Sequence, residues 1–106
     1  MRVLFDQGTP VPLRQLLPRH AVETAYERGW STLSNGALLA EAESNGFDVL
    51  VTTDLNLQYQ QHLPERTIAI VVLSTTSGPR IRAAVDDVAH AIDQSIAQRF
   101  VQVRIP

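Results

Sequence analysis

The most constraining feature of this chain is the run Thr67-Ile68-Ala69-Ile70-Val71-Val72-Leu73, in which apolar residues follow one another without alternation. A strand with one wet face alternates apolar and polar residues, whereas a strand buried on both faces does not. The run therefore predicts a central strand covered above and below. Two shorter apolar runs, 2–5 and 48–52, have the same character, and each runs into an aspartate, Asp6 and Asp54. His20 to Thr24 reads as another strand. The alternating Phe100–Ile105, with Val101, Val103 and Ile105 on one side, reads as an edge strand.

Helical signals fall between these runs. Two prolines, Pro10 and Pro12, lead into a short helix over 13–17, since proline is tolerated only before or in the first turn. Ser34 is placed to cap a helix that Gly46 ends. Leu55 to about His62 predicts a short helix closed by Pro64. A long helix runs from Arg80 to about Gln98 with Ile81, Val85, Val88, Ile92 and Ile96 on one stripe. Strands and helices alternating in this way predict a single α/β domain over residues 1–106. Its expected form is a three-layer α/β/α sandwich around a mostly parallel sheet of about five strands. Ligands of such sheets bind beyond the carboxyl ends of the strands, near a switch in strand order.

Composition removes whole classes of chemistry. The absence of cysteine excludes disulfides, thiolate metal sites and cysteine nucleophiles. All nine basic residues are arginine, so lysine-dependent phosphate loops and Schiff-base catalysis are excluded. The turn after the first strand lacks the glycine spacing of a dinucleotide site. A net charge of −2 supplies no global attraction for nucleic acid. The longest apolar run is six residues (Ile68–Leu73), too short to span a membrane, and the amino-terminal residues do not read as a secretion signal. The expected location is the cytoplasm.

The candidate chemistry lies where the strands end. Asp6 and Asp54 converge if their strands are parallel neighbours, and two gathered carboxylates call for a hard cation or a shared proton. The alternative is that each caps the next helix; this suits Asp54 well and Asp6 poorly. Helical phase puts Asn35 on the stripe of Leu38, Leu39 and Ala42, which faces the sheet, while Glu41 and Glu43 fall off it towards solvent. Asn35 can thus complete an oxygen cluster or simply bond its own backbone. Asn56 and Thr53 flank Asp54 closely enough to take part. The three histidines form no metal-binding pair and read as surface or capping residues. Trp30 reads as packing in a loop, with base stacking as the alternative. Arg80 and Arg82 read as first-turn residues of the long helix, where a bound phosphate would explain them.

Three segments, MRVLFDQGTP, RHAVETAYERGW and NGALLAEAESNGFDVLVTTDLNL, resemble the small bacterial branch of the PIN-like nuclease superfamily over about residues 1–73. The resemblance implies an α/β/α fold, one or two Mg²⁺ or Mn²⁺ ions, and a metal-dependent endoribonuclease. It also implies an RNA substrate and, as in many such toxins, an antitoxin protein as partner. Carried over by position, Asp6 and Asp54 hold the metal, Asn35 and Asn56 stand at the other two acid positions, and Thr53 supports Asp54. The departures are asparagine at two acid positions and Gly8 in place of an asparagine; they imply a weak metal site. The second expectation is a catalytically reduced fold acting as a binding or regulatory module. The third, an unrelated small-molecule binder, predicts an apolar pocket at the carboxyl edge. The free edge at 100–105 invites a homodimer.

Overall fold

In the computed structural model, residues 1–57 and 65–106 are described. The described strands are β1 (Arg2–Phe5), β2 (Ala21–Thr24), β3 (Val49–Thr52), β4 (Ala69–Leu73) and β5 (Phe100–Val103). They form one sheet in the order β2-β1-β3-β4-β5, and each neighbouring pair is parallel. Every residue of β3 and β4 is buried, which is why neither run alternates. β5 lies at one edge of the sheet, as its alternation predicts, and β2 at the other.

The period of two along each strand sorts the side chains into two cores. Val3, Phe5, Val49, Val51, Val71 and Val103 point to one face. Leu4, Leu50, Ile70 and Val72 point to the other. Helix α1 (Asn35–Ser44) covers the second face with Leu38, Leu39 and Ala42. The first face is covered by a 3₁₀ turn (Val11–Leu16) and two helices, α2 (Gly78–Ala83) and α3 (Val85–Gln98). The Ser34 hydroxyl accepts from the Ala37 N–H at the start of α1, and Gly46 takes the left-handed conformation just beyond its end (φ 78°).

Five expectations are corrected. The single helix over 80–98 is two helices, broken at Ala84 (φ −106°, ψ 23°). α2 packs towards the 3₁₀ turn, whereas α3 lies on the sheet, so the apolar stripe continues across the break. Arg80 and Arg82 therefore stand in the last turn of α2, where positive charge suits the helix dipole. Arg80 is also engaged, donating from Nε to the Pro106 carbonyl at 2.7 Å. Ile96 is 48% exposed, because the buried stripe of α3 runs through Val88, Ala91, Ile92 and Ser95. Glu43 is not solvated. Its carboxylate accepts from Arg66, from the Thr67 hydroxyl and from the Thr67 and Ile68 N–H groups, clamping the approach to β4. His20 is mostly buried, with Nε2 3.6 Å from Asp93 Oδ1, tying the approach to β2 to α3. Most of the helix expected over 55–62, with His62 and Pro64, falls outside the described residues. No described helix is long and apolar enough to cross a membrane.

Candidate functional site

The strand order fixes where a site can form. From β1 the chain crosses to β2 on one side, and from β3 to β4 and β5 on the other. The order reverses between β1 and β3, and at such a switch the crossovers diverge and leave a crevice beyond the carboxyl ends. Asp6 follows β1 directly, and Asp54 stands two residues beyond β3. Both aspartates are therefore at the switch point.

Local geometry then aims Asp6. Its N–H donates to the Val51 carbonyl at 3.1 Å, so the ladder continues one residue past β1. Asp6 thus keeps the phase of Leu4 and falls on the face covered by α1. Thr52 has the phase of Leu50 and lands on that same face, fully buried. A buried hydroxyl needs a partner, and Thr52 has two. It donates to Asp6 Oδ2 and accepts from the Asp54 N–H at 3.1 Å, linking the two aspartates through one side chain.

The rest of the shell consists of uncharged donors. The Thr9 hydroxyl lies 3.0 Å from Asp6 Oδ1 and 2.9 Å from the Val51 carbonyl, which it also reaches as a donor. Asn35, at the first position of α1, donates from Nδ2 to Asp54 Oδ2 at 2.9 Å. The Asn56 N–H donates to Asp54 Oδ1 at 2.9 Å, while the Asn56 residue is exposed. Asn56 therefore joins the cluster through its backbone. The Thr53 hydroxyl lies against Gly8, where an added Cβ would collide with it, so an asparagine at position 8 requires the Thr53 side chain to move. Thr52, not Thr53, makes the side-chain contact that holds the Asp54 backbone.

Burial raises the Asp6 carboxyl above the ordinary carboxylate range; hydrogen bonds from Thr52, Thr9 and the Gly8 backbone oppose this, and the Asp54 charge adds to it. No basic side chain pairs with Asp6 or Asp54 among the described residues. Nor do three acidic or histidine side chains converge there as a ready ligand set.

Two hollows meet at Asp6. The smaller, about 110 Å³, lies towards α1 and is lined by Asp6, Gly8, Trp30, Asn35 and Leu38. The larger, about 590 Å³, lies towards the 3₁₀ turn, between Gln7, Val11, Tyr26 and Glu27. Trp30 packs edge-on against Phe47 and under the Arg28 guanidinium, which occupies it structurally.

Sequence reasoning missed Thr52, Thr9 and the Tyr26 cleft. For Thr52 the signal was present: in VLVTTD, strand phase places the first threonine, not the second, with the core-facing Leu50.

As a cation site, the pair fits by donor type. Hard cations take carboxylate oxygens, and Asp6, which accepts three hydrogen bonds, and Asp54, which accepts two, each retain lone-pair capacity. Two partly buried carboxylates without a basic partner also lack the positive charge that an ion would bring. Compared with family models, with curated proteins and with solved structures, the chain matches none.

Proposed function

We propose that the carboxyl edge of the sheet is the site of a metal-dependent endoribonuclease, with Asp6 and Asp54 holding a Mg²⁺ or Mn²⁺ ion. The observation that carries this reading is the pair itself: two carboxylates from distant segments, gathered at the switch point, with no cationic side chain to balance them. A bound divalent ion polarises a phosphodiester oxygen and lowers the pKa of a water. The chain's own part is positional. Thr52 fixes the spacing of the two aspartates, Asn35 orients Asp54, and Thr9 orients Asp6. The resemblance to PIN-like toxins extends the proposal to a cytoplasmic toxin with an antitoxin partner, and the free edge of β5 to pairing with a second copy.

The test is cleavage of a labelled RNA with Mn²⁺, with excess chelator, and in the Asp6→Asn and Asp54→Asn variants. Cleavage should need the metal and both aspartates. Cleavage that persists in either variant or in chelator overturns the reading.

One observation favours a second reading, a module that binds without cleaving. All four carboxylate oxygens already accept hydrogen bonds from uncharged donors, and burial favours the protonated form of Asp6. That reading predicts RNA binding without cleavage and no change in melting temperature on adding Mn²⁺.

A further inference from the structure

The 590 Å³ cleft beside Asp6 is within the size range that holds a small organic ligand. Its most unusual component is Tyr26, 77% exposed although it is one of the chain's larger aromatic residues. The ring belongs to neither core cluster and no hydrogen bond engages its hydroxyl among the described residues. A flat apolar surface left open beside a polar floor suits a planar ligand.

The charges in the cleft narrow that ligand further. Glu27 accepts from Arg14 at 2.7 Å and from the Thr24 N–H at 3.0 Å, and both bonds fall on Oε1. Oε2 remains able to accept, and the Thr24 hydroxyl, accepting in return from the Glu27 N–H at 3.1 Å, fixes this wall. Asp6 adds a second carboxyl group and Gln7 an exposed carboxamide, while no arginine lines the cleft. A neutral ring bearing an amino group is favoured, because carboxylates accept well from the exocyclic amines of cytosine and adenine. Unstacked bases are characteristically held between an aromatic face and hydrogen bonds to their edges.

We propose that the cleft between Tyr26 and Glu27 is a subsite for an unpaired, amino-bearing nucleobase, adenine or cytosine, stacked on Tyr26 and bound at its amino group by Glu27. The proposal deepens the ribonuclease reading of the neighbouring carboxylates, which supplies its reason for expecting RNA.

The test uses the metal-free protein and the neutral nucleosides adenosine, cytidine and uridine, followed by amide chemical shifts of Gln7, Thr9, Thr24 and Glu27. Adenosine and cytidine should bind several-fold more tightly than uridine. Tyr26→Ala should weaken binding about tenfold, Tyr26→Phe should retain it, and Glu27→Gln should reduce the preference over uridine. Three results overturn the subsite: no shifts with any nucleoside, equal binding by Tyr26→Ala, or indole binding as tightly as adenosine. The last makes the cleft a generic apolar pocket. The assay contains neither metal nor phosphodiester, so the two readings fail separately. Nucleoside binding by a protein that cleaves no RNA keeps the subsite and ends the nuclease reading. RNA cleavage without nucleoside binding does the reverse.

Discussion

Two groups of carboxylates in this protein are treated in opposite ways. In the first group, acids meet guanidinium groups: Glu23 pairs with Arg2 and Arg28, and Glu43 with Arg66. Arg2 and Arg28 also stack on Phe47, so charge and ring packing support one another. At the carboxyl edge, Asp6 and Asp54 have only hydroxyls, amides and each other. The contrast appears in their titration. Burial alone would raise Glu43, but the hydrogen bonds from Arg66, Thr67 and Ile68 outweigh it and lower its pKa, whereas Asp6 is raised. The first group is finished as structure; the Asp6–Asp54 pair is left short of positive charge.

The largest expected effect breaks the finished group. Glu43→Ala strips a partly buried donor set of its acceptor and should cost about 2–3 kcal/mol in urea denaturation. A loss under about 0.5 kcal/mol would show that the clamp is incidental. The pH dependence has a definite sign. The folded pKa of Glu43 lies below its unfolded value, so its contribution is complete above the unfolded pKa and is lost as pH falls through the folded one. Acid titration of Glu43→Ala should therefore show a shallower loss of stability.

Next, Asn35→Asp replaces the donor to Asp54 with a third acid. The metal-free protein should lose about 1–2 kcal/mol, and Mn²⁺ should restore more stability than it adds to the wild type. Equal Mn²⁺ responses would separate Asn35 from any ion. A smaller, opposite effect belongs to Asp6→Asn. Because its pKa is raised on folding, the ionised form at neutral pH costs stability, and this cost grows as pH rises from the unfolded towards the folded pKa. The variant should gain a little stability at pH 7 without metal and lose its response to Mn²⁺; thermal melts across pH 4–8 would show both. The smallest effect is that of Asn56→Asp, whose residue is exposed and contributes through its backbone. It should stay within about 0.5 kcal/mol of wild type.

The fold was legible where burial writes itself into a run of residues. β3 and β4 lack alternation because both their faces are covered, and Ser34 and Gly46 bracket α1 by backbone chemistry that is local. The break at Ala84 was hidden because Ile81, Val85, Val88 and Ile92 keep one stripe across it. The charges carried the sign instead: Arg80 and Arg82 suit the end of one helix, and Asp86 and Asp87 the start of another. Glu43 could not be read from its own helix, since its partners belong to the segment entering β4. At the site, strand ends and helical phase brought Asp6, Asp54 and Asn35 within reach of one another. The Tyr26 cleft is assembled from two separate segments, 6–11 and 24–27, and leaves no periodic trace.

The position of β1 has a kinetic consequence. It is the first strand in the chain yet lies inside the sheet, flanked by β2 and β3, with Val3 in register with both Val22 and Val49. The β1–β2 contact closes a short loop, whereas the β1–β3 contact closes one more than twice as long, and the entropic cost grows slowly with length. A nascent chain can therefore form only a two-stranded ribbon until β3 has been made, and such a pair is marginal by itself. Cooperative folding begins with the third strand, the same one that brings Asp54 to Asp6. The two acids are brought together in the step that commits the chain to its native topology.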